Sequence, residues 1–227
     1  MPRAPAGGKE CYLLLDGMSE AFLLQIRARL LPLGVVPVAP RGGTAAAVLV
    51  PLVRRAGNLT VLLTVRSATL ADHAGQISLP GGRADAGDRD LIATALRETW
   101  EEVGIAAQHI DVLGCLPTVV TGTGFVVTPV VGVVQPPPEL RIAAAEVEEA
   151  FEVPLAFVLD PANYRTESAF LRGSQRNYHV LSHAGRRIWG ATAAILRSLT
   201  DVAPQARDPD VAPQARKPDV VQHREAS

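Results

Sequence analysis

Between Leu79 and Ile105 the chain reads LPGGRADAGDRDLIATALRETWEEVGI, and the second half of that stretch allows few folds. Leu91 to Val103 has helical character and runs into Gly104, a residue suited to closing a helix in the left-handed conformation. On that helix Glu98, Glu101 and Glu102 stand at i, i+3 and i+4, so all three share one face. Like charges at this spacing repel by roughly a few tenths of a kcal/mol per pair. A helix gains no stability from such a face, but a divalent cation converts the repulsion into coordination. Hard cations such as Mg²⁺ take oxygen ligands, usually a few carboxylates completed by water and substrate phosphate. Arg97 adjoins the trio and can orient one of its carboxylates. Upstream, Pro80-Gly81-Gly82 reads as a tight turn whose backbone can approach a ligand, with a carbonyl available to a metal. From the residues alone, a solvated acidic helix face after a loop explains the same pattern equally well.

The rest of the chain supplies a sheet for this helix. Ala45 to Val53 and Leu59 to Val65 are apolar runs joined around Gly57-Asn58, as in a buried β-hairpin. Val112 to Val120 and Phe125 to Val134 predict two further strands, the second stopped by Pro136-Pro137-Pro138. Pro154 to Leu159 predicts a short helix. Tyr178 to Ser182 and Arg187 to Trp189 predict a hairpin turning at Ala184-Gly185, and Gly190 to Thr200 a last helix. Strands and helices alternate without a βαβ rhythm, so the expected class is α+β, a layered α-β-α domain. Phe22, Leu23, Ile26 and Leu30 give Ser19 to Leu31 helical spacing, with Ser19 as N-cap, before Pro32, Pro37 and Pro40 break it. The expected organisation is a helical segment over 1–40 packed on a domain over 41–200, then a tail over 201–227. That tail repeats DVAPQARDP as DVAPQARKP and has almost no large apolar side chains, so it is expected to be disordered.

Charge narrows the partners. The chain carries 22 Lys+Arg against 23 Asp+Glu, which argues against an electrostatic nucleic-acid binder. An anionic substrate must be met by local cations or by metal. Cys11 and Cys115 have no Cys or His neighbour at ligand spacing and read as free structural thiols, which fits a reducing compartment. The apolar run Tyr12 to Leu15 is too short for a signal peptide and ends at Asp16. No stretch has the length and lack of charge needed to span a bilayer. A cytoplasmic enzyme without a membrane partner is expected, and a homodimer is left open.

Arg97-Glu98-Thr99-Trp100-Glu101-Glu102-Val103-Gly104-Ile105 resembles the REuxEExGu end of the Nudix box, where u is aliphatic. Gly82, with Asp88 six places on, resembles its GxxxxxE start. The chain departs from the pattern in three ways: Asp88 replaces glutamate, Thr99 takes an aliphatic place, and the gap from Asp88 to Arg97 is one residue longer. The resemblance implies an α-β-α sandwich with a mixed sheet. It also implies that Glu98, Glu101 and Glu102, with the backbone of Gly81, hold Mg²⁺ or Mn²⁺ for pyrophosphate hydrolysis. The general base stays open between Glu98 and a residue outside the box.

Before the box, LLTVRSATLADHAGQISLPGG is similar to the pattern LLTxRSxxLxxHxGQIxxPGG of the coenzyme A (CoA) pyrophosphatase branch of that family. The stretches EVEEAFEVP, from Glu146, and IWGATA, from Ile188, resemble the same branch. The resemblance implies that CoA or a CoA thioester is cut to 4′-phosphopantetheine, or its acyl form, and adenosine 3′,5′-bisphosphate. The loop then delivers Arg66, Ser67, His73 and Gln76 beside the metal as substrate contacts. Arg66 is the first candidate for the 3′-phosphate, with Arg54, Arg55 and Arg83 as alternatives. Glu146 and Glu149 are candidates for a fourth catalytic carboxylate, and equally for acids at a helix N-terminus. Trp189 and Cys115 read as core. Competing readings are a Nudix hydrolase of NADH, ADP-ribose or a nucleoside triphosphate, a nucleotide-binding Nudix domain without catalysis, and an interaction protein acting through its tail.

Overall fold

The computed structural model of the chain describes residues 20–33, 43–55, 58–70, 74–135, 139–171 and 174–204. Its longest apolar run, TAAAVLVPLVRR, must be covered on both faces, and it forms the central strand β1 (Thr44–Arg55). The other long apolar run, β7 (Phe125–Val134), lies parallel to it over ten residue pairs. β2 (Asn58–Arg66) pairs antiparallel with β1, so the main sheet is mixed.

β1 and β2 pair only from Leu52↔Val61 to Arg55↔Asn58, at the hairpin end, and then part. The chain of β3 (Ile77–Ser78) and β4 (Gly81–Arg83) fills the gap, β3 against β2 and β4 against β1. Pro80-Gly81-Gly82 is therefore not the expected tight turn. Gly81 and Gly82 are strand residues opposite Val48 and Ala47, and the Pro80 carbonyl accepts from the Leu49 N–H at 2.8 Å. β5 (Ile110–Cys115) and β6 (Val119–Val120) occupy the far edge of β7, where one strand over Val112 to Val120 was expected.

Helix α1 (residues 20–29), α3 (Leu155–Leu159) and α4 (Gly190–Val202) cover one face of this sheet. Leu23, Ile26, Leu155, Val158, Leu196 and Leu199 pack there against Val50, Leu52, Leu63 and Val131. Helix α2 (Leu91–Val103) covers the other face, with Ile92, Ala95 and Val103 on Ala47, Leu49, Leu62 and Val130. The result is an α+β, α-β-α arrangement. Cys115 is buried in the α2 layer; Cys11, the Ser19 cap, Gly57 and residues 205–227 of the repeat tail lie outside the described residues, whereas Asp201 and Val202, expected in the disordered tail, form the last residues of α4.

Two strands carry little apolar pattern. β8 (Val147–Pro154, VEEAFEVP) pairs with β2, so Glu146 and Glu149 lead into and lie on a strand rather than a helix N-terminus. β9 (Tyr164–Leu171) joins β10 (Ser174–His183) and β11 (Arg186–Trp189) in a second sheet of three strands. Strand alternation buries Ile188 and turns Trp189 outward at 37% exposure, which corrects the reading of Trp189 as core. Its ring faces Tyr178 and Arg187 instead.

Candidate active site

Asp90 caps the start of α2 by accepting from the Ala93 N–H, and Gly104 ends the helix at φ 75°, so both ends of the box helix are fixed. The acidic face points at β4. An added Cβ at Gly82 would lie 2.5 Å from the Glu98 carboxyl group, so a side chain there would push that carboxyl group from its place. The N–H of Gly81 donates to Glu102 Oε2 at 3.3 Å. The glycine pair thus acts as the floor on which two box carboxylates rest.

Arg97 organises the cluster. Its Nε and Nη2 donate to the two oxygens of Asp88, both at 2.9 Å. Its Nη1 donates to Glu98 and to Glu101, also at 2.9 Å, and Nη2 to the Arg83 carbonyl at 3.2 Å. Asp88 also accepts from the Thr94 hydroxyl at 2.8 Å and the Asp85 N–H at 2.9 Å. Arg97 above all, with these bonds, holds the Asp88 carboxyl well below the usual carboxylate range. Asp88 is thus a brace for Arg97. In the sequence, Asp88 is marked only by its spacing from Gly82, which carries no role.

The three glutamates differ in environment. Glu101 is 48% exposed, Glu98 14%, and Glu102 2%. Burial is the main cause that pushes Glu102 up to about 8; the Gly81 N–H and Arg66 oppose it, and the charges of Glu98 and Glu146 add to it. Burial likewise raises Glu98, against Arg97 and with the charges of Glu101 and Glu146. Like charges gathered beside a desolvated carboxylate are the usual mark of a functional site. As they stand, no three acidic, His or Cys side chains among the described residues converge on one point as metal ligands. The donor set is nonetheless all oxygen, crowded and short of cations, which fits a hard divalent ion.

The remaining candidates separate. Arg66 ends β2 at an irregularity of its pairing with β8; its charge acts on Glu102, and its Nε is buried without a hydrogen-bond partner among the described residues. Ser67 is buried and its hydroxyl bonds that of Thr69 at 2.8 Å, while its N–H donates to the Glu146 carbonyl at 2.8 Å. The Gln76 carbonyl accepts from the Arg66 N–H at 2.9 Å. Arg83 contributes its carbonyl to Arg97, and its side chain is exposed. His73 lies outside the described residues. Arg54 is paired with Glu20 and Arg55 with Glu152. Glu146 acts electrically on Glu98 and Glu102, whereas Glu149 forms a two-pronged pair with Arg186 at 2.7 and 2.9 Å.

A family model described as the NUDIX domain matches residues 43–170. The chain is 44% identical over 154 residues to the "Uncharacterized Nudix hydrolase NudL" of Citrobacter koseri, covering 68% of this chain and 80% of that one. To the protein of the same name from Cronobacter sakazakii it is 47% identical over 156 residues, with the same coverage. Among solved structures it is similar to the NUDIX domain of Shewanella oneidensis NrtR complexed with ADP ribose. That likeness is 26% identity, 55% of this chain and 81% of that chain, at a TM-score of 0.41.

Proposed function

The chain belongs to the NUDIX family and is a Nudix hydrolase, and from that premise we propose that it hydrolyses the pyrophosphate bond of CoA or a CoA thioester. The products are 4′-phosphopantetheine, or its acyl form, and adenosine 3′,5′-bisphosphate. Glu98, Glu101 and Glu102, with the backbone of Gly81, would hold Mg²⁺ or Mn²⁺. Bound metal supplies charge neutralisation at the pyrophosphate and a more acidic water. Arg97, braced by Asp88, keeps the Glu98 and Glu101 carboxylates aimed together. Glu146 is the carboxylate outside the box that takes the proton of the attacking water; its charge already bears on Glu98 and Glu102.

One observation carries the substrate reading. Arg66 forms no ion pair with any described residue, and its Nε is buried and unpartnered beside the acidic cluster. Arg54 and Arg55 are already paired. A guanidinium that has no ion-pair partner among the described residues and stands beside a cluster of carboxylates is a place for a phosphate additional to those on the metal, and CoA brings one at the 3′ position. The test is product analysis after incubation with CoA and Mg²⁺ or Mn²⁺, with dephospho-CoA, NADH and ADP-ribose in parallel. Adenosine 3′,5′-bisphosphate should form, with the other three compounds cut poorly. Cleavage of another compound and not of CoA would discard the substrate and keep the hydrolase.

A further inference from the structure

Glu146 follows a segment without regular structure, yet its backbone is tied on both sides. Arg141 N–H donates to the Val103 carbonyl at 3.0 Å and Ala143 N–H to the Glu102 carbonyl at 2.9 Å, so the segment lies on the last turn of α2. A turn follows, in which the N–H groups of Glu146 and Val147 donate to the Ala143 carbonyl at 2.8 and 2.9 Å. The Glu146 carbonyl then accepts from Ser67 at the end of β2. These bonds satisfy helix-terminal carbonyls that would otherwise lack partners. One of those carbonyls belongs to Glu102 itself.

Gly104 makes the seat. It holds φ 75°, and a Cβ there would lie 2.8 Å from the Arg141 Cβ and 3.1 Å from the Arg141 nitrogen. An added methyl would therefore lift the segment off the helix end as well as strain the cap.

We propose that residues 141–146 form a strap, seated on Gly104, that sets Glu146 in register with Glu98 and Glu102, and that Gly104 and Ala143 are positioning residues for the reaction. This rests on the reading of Glu146 given above. Glu102 and Glu146 are linked by one short path of backbone bonds, so the box helix and the carboxylate outside it move as a unit. A displacement of about 1 Å in such a group can cost on the order of a hundredfold in rate.

The test uses two changes in the full chain, each made in the wild-type and in the Glu146→Gln backgrounds. One is Gly104→Ala. The other inserts a single glycine between Ala144 and Ala145, both exposed, which shifts Glu146 and leaves α2 intact. Mn²⁺ affinity is measured by calorimetry, and kcat and KM on whichever pyrophosphate substrate is cut. Each change should lower kcat by about tenfold, with KM and Mn²⁺ affinity little altered, because Glu146 acts on the water and not on the metal. In the Glu146→Gln background neither should cause a further loss, because the group being positioned is already gone. Losses that multiply in that background, or no loss in the wild type, would overturn the strap. Full turnover in Glu146→Gln alone would remove the reading of Glu146, and the strap with it. If Gly104→Ala does not fold, the insertion decides by the same criteria.

Discussion

The box face of α2 and the C-terminal sheet handle carboxylates in opposite ways. On the C-terminal sheet and the strand it meets, Glu167 is paired with Arg187 at 2.6 Å and Glu149 with Arg186 at 2.7 Å, and all four side chains are at least 32% exposed. On the box face, Glu98, Glu101 and Glu102 stand side by side, and the charge of Glu146 bears on Glu98 and Glu102. Arg97 serves two of them while it is gripped by Asp88, and Glu102 is buried. The first arrangement is what stability alone selects: charges paired, solvated and nearly neutral in effect. The second costs the apo fold free energy and makes sense when a cation and a phosphate complete it.

Substitutions sharpen this contrast. Glu102→Gln keeps the shape and an oxygen for the Gly81 N–H but removes the charge, so turnover should fall by roughly a hundredfold or more while the fold persists. Near-normal turnover would take Glu102 out of the metal site. Arg66→Ala should be smaller and selective, raising KM for CoA about tenfold more than KM for dephospho-CoA, as loss of one charge-assisted contact to phosphate predicts. An equal loss for both compounds would end the 3′-phosphate role. Arg187→Ala should be smallest, leaving turnover unchanged and shifting Tm by no more than about 2 °C, because its pair with Glu167 is exposed. A large drop in Tm would erase the distinction between the two regions.

Much of the box was legible because its physics is local. Helix α2 begins at Leu91 and ends at Gly104 as its sequence indicated, and Phe125–Val134 is the strand its apolar run implied. Strands β8 and β9 were not legible. VEEAFEVP carries three glutamates, and YRTESAFL buries little, so neither shows the alternation that marks a strand. Tertiary pairing with β2 and β10 makes them strands. The PGG turn was misjudged for a related reason: nothing local announces that β1 and β2 splay and admit β4 between them. The split of Glu146 from Glu149 also came from outside the segment, from Arg186 some 37 residues on.

Under the proposed function, the box carboxylates are arranged for a cation at the expense of the metal-free fold. The most direct test is thermal unfolding of wild type and Glu102→Gln, with and without Mn²⁺, across pH 5 to 8. Glu102 is raised in the fold from 4.5 to about 8, so the folded state holds its proton more tightly. Its contribution is complete at low pH and is lost as pH rises through that window. Wild-type Tm without metal should therefore fall between pH 5 and 8 and recover with Mn²⁺. Glu102→Gln should show a flatter profile, a higher metal-free Tm at pH 8 and little response to Mn²⁺. A Glu102→Gln protein that is less stable than wild type at pH 8 without metal, yet stabilised by Mn²⁺ to the same extent, would contradict the account.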